Sequence, residues 1–357
     1  MGTEIVMDKS TLIELLRYAC RAPSGDNVQP WRFTWNGVHL SIYNVPGVHN
    51  PYLDFEERGS YIAHGALLEN LRISAPHYGY NMEFELFPDT KQTELVAVCS
   101  FRQCAKNEDE LFSAIKERVT NRRPYKIREL TESEESALYK TVADVSGTEL
   151  YIAKNRKSIQ KIAASASSVE KIILEDKRMA EHLFSKIVWT DKEDCEKKSG
   201  FFIKTMEFNL VQRFVFRLAS KPKIMYFLRK IGLPSFIAKQ DAVLYSSNAG
   251  MGGIVIPDES AESFIFAGQA LERIWLTLTN MQLAFQPLIG MTFVAYKTET
   301  GRGDLKDAHA KKIKEDFKQA KESLGVTRGI LAMLFRFGDA EKPSVRTRRR
   351  DPDVTFV

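Results

Sequence analysis

The chain has 357 residues, 51 Lys plus Arg against 46 Asp plus Glu, a formal charge of +5, and 44% hydrophobic residues with 22 Phe among its aromatics. Such a composition supports a sizeable core in roughly two domains, and excludes a disordered chain or a disulfide-stapled miniprotein. Cys20, Cys99, Cys104 and Cys195 form no Cys-x-x-Cys pair and have no His at zinc-ligand spacing, so neither a metal nor a disulfide framework is expected. The first ten residues, MGTEIVMDKS, lack a basic-then-apolar leader, and no window reaches the roughly 18 apolar residues of a spanning helix, which points to the cytoplasm.

Thr11 to Arg21 places Leu12, Leu15, Leu16 and Ala19 at helical spacing, with Thr11 and Glu14 as a capping box, and Ala22-Pro23-Ser24-Gly25 stops the helix. Trp31 to Trp35 and Val38 to Tyr43 are β-rich runs on either side of Asn36-Gly37, a hairpin signal. A helix over Gly59 to Ala75, strands over Asn81 to Phe87 and Glu94 to Phe101, and a helix over Glu108 to Val119 follow. The rest repeats this α+β pattern: a strand at Glu149 to Ala153, helices through 155–185, a basic and aromatic stretch at 186–239, a helix at Gly268 to Phe285, a strand at Leu288 to Tyr296, a helix at Leu305 to Leu324 and a strand at Ile330 to Phe337. Gly250-Met251-Gly252-Gly253 fits neither a P-loop nor a dinucleotide fingerprint and is expected to form a flexible turn. His64 is expected in the core and His182 at the surface, neither paired with a nucleophile.

Three segments carry groups suited to anions or amide-like edges. Pro23-Ser24-Gly25-Asp26-Asn27-Val28-Gln29-Pro30-Trp31 sets a hydroxyl and two carboxamides on a proline-fixed turn before a strand. In Arg118-Val119-Thr120-Asn121-Arg122, alternate residues of an extended segment point one way, and guanidinium offers a planar fork of donors to phosphate or a carbonyl-rich ring edge. Arg346-Thr347-Arg348-Arg349-Arg350 follows the last predicted strand. Each alone is as well explained by a turn, a solvated basic face or a frayed end.

Together the three resemble the FMN-binding signature of the nitroreductase superfamily: a Pro-Ser-x-x-Asn-x-Gln-Pro-Trp loop, an Arg-x-Ser-x-Arg segment with Thr here for Ser, and basic residues after a C-terminal strand. Gly268-Gln269-Ala270-Leu271 with Trp275-Leu276 is similar to the family's central helix. In ordinary members the Arg segment precedes the loop, whereas here it follows, as in a tandem fusion resembling the double-length Acg-like branch. The resemblance implies an α+β, nitroreductase-like fold of two fused units in an intramolecular pseudo-dimer: 1–115 with the Pro-Ser loop, and 116–357 with the Arg segment and the C-terminal basic residues. Residues 186–239 would be a lid-like insertion, or amphipathic helices with Lys and Arg stems along the surface. Ala163 to Ser168 is expected where a second loop would lie, without its Pro, Asn and Gln, leaving one FMN per chain.

The resemblance further implies that Pro23, Ser24, Asn27 and Gln29 contact FMN on its ribityl-phosphate side. Arg118 and Thr120 would hold phosphate with Arg346 or Arg348, and Arg122 would stabilise the N1/O2 edge, the chemistry being borne by the flavin with no separate catalytic acid or base. The implied activity takes reducing equivalents from NADPH or NADH through FMN to a small molecule, a nitroaromatic, quinone or specialised metabolite; storage or sequestration of FMN is the alternative. Neither nucleic acid nor membrane is expected as a partner. A monomeric pseudo-dimer is expected, with a homodimer left open.

Overall fold

The computed structural model describes residues 7–302 and 305–357, so the leader-free reading of residues 1–6 falls outside it. In the first half α1 (Lys9–Ala19), β1 (Trp31–Trp35), β2 (His39–Asn44), α2 (Arg58–Ser74), β3 (Tyr80–Leu86), β4 (Leu95–Gln103) and α3 (Phe112–Glu117) follow in order. The hairpin forms as expected: the Asn36 side-chain oxygen accepts the Val38 and His39 amides at 3.0 and 2.7 Å, and Gly37 supplies a φ of +93°. The first helix starts earlier than its expected box. Asp8 accepts the Ser10 and Thr11 amides at 2.9 and 3.0 Å and so satisfies the free N–H groups before Thr11 can act as a cap.

The second half runs α4 (Glu132–Ala143), β5 (Glu149–Ala153), α5 (Arg156–Glu175), α6 (Lys177–Ser185), β6 (Ile187–Val188), α7 (Asp191–Lys197), β7 (Phe201–Phe202), α8 (Leu210–Ala219), α9 (Pro222–Lys230) and α10 (Leu233–Ser246). Then come β8 (Gly250–Ile256), α11 (Ala261–Asn280), β9 (Ala284–Pro287), α12 (Ile289–Glu299), α13 (Asp307–Leu324), β10 (Ile330–Gly338) and β11 (Val354–Phe356).

Two sheets carry the fold, ordered β11-β1-β2-β4-β3 and β5-β8-β10-β9. Within them β2-β4-β3, with α2 between β2 and β3, repeats as β8-β10-β9, with α11 between β8 and β9, every pairing antiparallel. The fold is α+β, two units fused in one chain. Their central helices meet at Gly65 and Gly268. A Cβ on Gly65 would fall well inside van der Waals contact of the Ile265 carbonyl oxygen, and one on Gly268 would do the same at the Ile62 carbonyl. Both pairs of equivalents are 203 residues apart, so this is one contact seen from two sides, as in a two-fold interface. The helices also share a sequence pattern, Ser60-Tyr61-Ile62, Gly65 and Leu68-Glu69 against Ser263-Phe264-Ile265, Gly268 and Leu271-Glu272.

Before β2 come the 22–30 loop and β1; before β8 comes the insertion of α6 to α10. Ala163 to Ser168, expected in place of a second loop, instead lie in mid-α5, where Ile159, Ile162, Ala163, Ala166 and Val169 form a buried stripe. The expected turn at Gly250 to Gly253 is corrected to the buried central strand β8. Its glycines make room for β10: a Cβ on Gly250 would lie 2.7 Å from the Phe337 ring, and one on Gly253 2.6 Å from Leu331. The expected strand Leu288 to Tyr296 is chiefly helix α12, and α11 starts at Ala261 because Ser260 caps it. His64 is buried against Asn44 at 3.1 Å as expected, whereas His182 is half-buried with its ring 5.6 Å from Tyr52. Among the described residues no helix is long and apolar enough to cross a membrane.

Candidate functional site

A cavity of about 1470 Å³ lies where the 22–30 loop, the 118–126 segment, the insertion and the C-terminal arm meet. Pro23, Ser24, Asn27, Arg118, Thr120, Arg122 and Arg346 line it. Gln29 and Arg348 do not. The Gln29 carboxamide is spent inside the protein, donating to the Lys198 carbonyl at 2.7 Å and accepting the Arg350 amide at 2.8 Å. Arg348 points its guanidinium at Asp194, 3.4 Å away.

The three segments are tied directly to one another. Asn27 donates to the Arg348 carbonyl at 3.1 Å, Arg350 donates to the carbonyls of Val28 and Gln29, and Arg346 donates to the Lys116 carbonyl at 2.6 Å and pairs with Glu117 at 3.0 Å. Arg118 donates to the Arg21 carbonyl. Asp26, Asn27 and Gln29 all have φ near +50°, a backbone that L-residues adopt at a cost. Ser24, whose hydroxyl accepts the Gln29 amide at 2.9 Å, and the arm hold the loop there.

Positive charge dominates this end. Arg21, Arg346 and Arg349 crowd Arg118 or one another, and burial with that crowding brings Arg349 down to about 9. The buried carboxylate facing them is Glu272 of α11, 3.0 Å from Arg118, whose guanidinium lies 4.4 Å over the Trp275 ring. Neither Glu272 oxygen is aligned for a hydrogen bond, and burial pushes its carboxyl up to about 7 against the pull of Arg118. The Asn27 side-chain oxygen and the Arg349 Nε are buried without partners.

A second group of charges lines the cavity around Arg122, which donates to the Thr205 carbonyl at 3.3 Å and lies 4.6 Å over the Phe201 ring. Glu170 of α5 and Asp241 and Tyr245 of α10 sit there, with Arg336 buried behind, donating to Gln286 at 2.8 Å and stacked 3.9 Å over Tyr125. Burial pushes Glu170 up to about 7, the charge on Asp241 adding to it, and Asp241 up to about 6. Folded values above the unfolded ones mean that the native state keeps protons the unfolded chain has released. The contribution of these two carboxyls to stability is therefore expected to fall as pH rises from the ordinary carboxylate range to about 7, and to level off above it. Glu170→Gln should flatten the fall of the thermal midpoint between about pH 5 and about pH 8; an unchanged slope would remove Glu170 as its cause.

Arg349, Glu170, Asp241 and Tyr245 were not singled out from sequence. Asp241 carries a signal of its own, as the one acid between Glu207 and Asp258. Arg349 takes the lining position expected of Arg348 because the arm is irregular until β11, so alternate residues do not share a side.

No family model matches the chain. It is 22% identical over 293 residues to the probable NAD(P)H nitroreductase PigM of Serratia sp., covering 78% of this chain and 80% of that one. The chain is thus similar, over most of its length, to a probable nitroreductase. It is also 24% identical over 345 residues to the uncharacterized protein MT1398 of Mycobacterium tuberculosis, covering 93% of this chain but only 46% of that protein, so it spans about half the length of this relative. A crystal structure of a nitroreductase with bound FMN from Desulfitobacterium hafniense aligns with a TM-score of 0.41 at 10% identity, over 70% of this chain and 100% of that one.

Proposed function

We propose that the chain is an FMN-dependent oxidoreductase of the nitroreductase type, passing reducing equivalents from NADPH or NADH to a small organic acceptor such as a nitroaromatic, a quinone or a specialised metabolite. The observation that carries this reading is the meeting of the Pro-Ser loop, the Arg118–Arg122 segment and the C-terminal arm on one cavity. The residues of these three segments fit a phosphate-bearing ligand: Arg118, Arg122, Arg346 and Arg349 line the cavity against the single carboxylate Asp26, and the orphaned Asn27 oxygen and Arg349 Nε are an acceptor and a donor in want of partners. In this reading Arg118, Thr120, Arg346 and Arg349 hold the phosphate, and Pro23, Ser24 and Asn27 line the ribityl path. Gln29 acts at one remove, fastening the arm to the loop. Arg122 faces the ring edge, where a fixed cation favours the reduced, anionic form. FMN supplies the hydride chemistry when bound.

The proposed division is a first unit over 1–115 and a second over 116–357, in the doubled Acg-like branch, with 186–239 as a lid. Phe201, Phe208 and Phe216 from that stretch wall the cavity and would keep water from the reacting atoms. The test is the visible spectrum of the protein with added FMN, followed anaerobically after NADPH. Saturable binding with bleaching is expected. Binding without bleaching would favour FMN storage, and no binding would end the flavin reading.

A further inference from the structure

Helices α8 to α10 expose what buried helices hide. Among the described residues, eight of the thirteen large apolar side chains that stand exposed lie between Leu210 and Val243. Leu210 and Phe214 on α8 are 83% and 64% exposed, and Tyr226 and Phe227 on α9 are each 60% exposed. The same stretch is strongly basic. From Phe208 to Gln240 the chain carries seven Lys or Arg and no Asp or Glu, against +5 for the whole protein. Lys221, Lys223, Lys230, Lys239 and Arg217 are exposed, and none of them makes an ion pair among the described residues. Lys230 instead lies 4.6 Å over the Tyr226 ring.

Apolar side chains standing out among unpaired cations are the pattern of a surface that lies in a lipid headgroup region, apolar residues dipping in and cations meeting anionic lipid. Lying on a bilayer needs no spanning helix. We propose that α8 to α10 dock the protein on an anionic lipid surface. A second copy of the chain is the weaker occupant, because pairing two such faces would set five exposed cations against five, the one carboxylate of these helices, Asp241, lying in the cavity wall. The position of the cavity agrees with a lipid surface: Val211 and Phe236 line it and are 70% and 58% exposed, so its mouth opens within the patch. Under the flavin reading, which the docking does not need, an apolar acceptor dissolved in the bilayer would enter there.

The test is co-sedimentation of the full chain, without added flavin, on vesicles of phosphatidylcholine alone and of phosphatidylcholine with phosphatidylserine. Binding is expected on the anionic vesicles, weaker on neutral ones and falling with added salt. Each exposed Lys near the surface contributes about fivefold to partitioning, so the triple variant Lys221→Ser, Lys223→Ser, Lys230→Ser should bind about a hundredfold more weakly. Phe214→Ser with Phe227→Ser should also release the protein, while circular dichroism and FMN binding stay as in the parent, since neither residue lines the cavity. Absence of binding to anionic vesicles, or equal binding to both kinds, overturns the proposal. A dimer in sedimentation velocity that the Phe214→Ser, Phe227→Ser variant dissolves would also overturn it, assigning the face to a second copy.

Discussion

Gly65→Ala and Gly268→Ala are each expected to destabilise the protein by about 3 kcal/mol or more, at the upper end of what overpacking costs. The reason is that the added methyl meets backbone and not a side chain. The Ile265 and Ile62 carbonyls it would strike are fixed in α11 and α2, so no rotamer change relieves the clash and the helices must part along their whole shared length. Because the two contacts are the same contact across a pseudo-two-fold, the two substitutions should cost similar amounts. The double variant should cost less than their sum, since helices already parted for one methyl have room for the other. Gly25→Ala is the control: it has nothing within 4 Å of the added atom and is expected to change stability by less than about 0.5 kcal/mol. Urea unfolding of the four variants reads all of this. Additive or strongly unequal costs would mean that the helices do not meet as equivalents.

The same duplication shows where sequence reasoning reached and where it stopped. The Asn36-Gly37 hairpin, α2 and β3 were legible because each rests on local chemistry: a turn dipeptide, a one-sided apolar stripe, a short alternating run. The segment Leu288 to Tyr296 was not, since all but one of its residues are buried in the fold and a run that is apolar all round has no period to tell strand from helix. Gly250 to Gly253 misled for a related reason. Glycine in a strand reads as a turn until the aromatic rings it makes room for are known, and Phe335 and Phe337 lie more than 80 residues away. The repeated Ser, Ile, Gly, Leu-Glu pattern of α2 and α11 was present in the sequence all along. It needed an alignment of the chain with itself at a spacing of 203, a step that no local window takes.

For the site, the loop and the Arg118 segment were legible because their side chains project from turns and short extended stretches. Glu170 and Asp241 were not, because what makes them unusual is burial at one cavity wall brought together from α5 and α10. That is a property of packing, and their own neighbourhoods in the chain carry no trace of it beyond the isolation of Asp241 among cations.

Arg118→Met is expected to lose about 3 kcal/mol of stability and to weaken FMN binding by about a hundredfold or more, and a second substitution should separate the two losses. Glu69 and Glu272 occupy equivalent places on α2 and α11. Glu69 is paired with Arg72 and Arg273 at 2.7 and 2.8 Å and accepts from Gln269 at 3.3 Å, whereas Glu272 faces Arg118 with neither oxygen hydrogen-bonded. Removing the Arg118 cation thus takes from a buried carboxyl its ion-pair partner, leaving Arg349 and Asn70 as what still favours its charge. Glu272→Gln in the same chain removes that charge and should restore most of the stability. It should not restore FMN affinity, because the guanidinium assigned to the phosphate is still absent. Glu272→Gln alone should act in opposite directions on the two readouts: the flavin-free protein loses stability as one more cation goes unanswered among Arg21, Arg118, Arg346 and Arg349, while FMN binds more tightly because its phosphate no longer competes with a resident carboxylate. Chemical denaturation and flavin fluorescence titration on the three variants measure both quantities. Stability and FMN affinity rising and falling together would mean that Arg118 serves the fold alone.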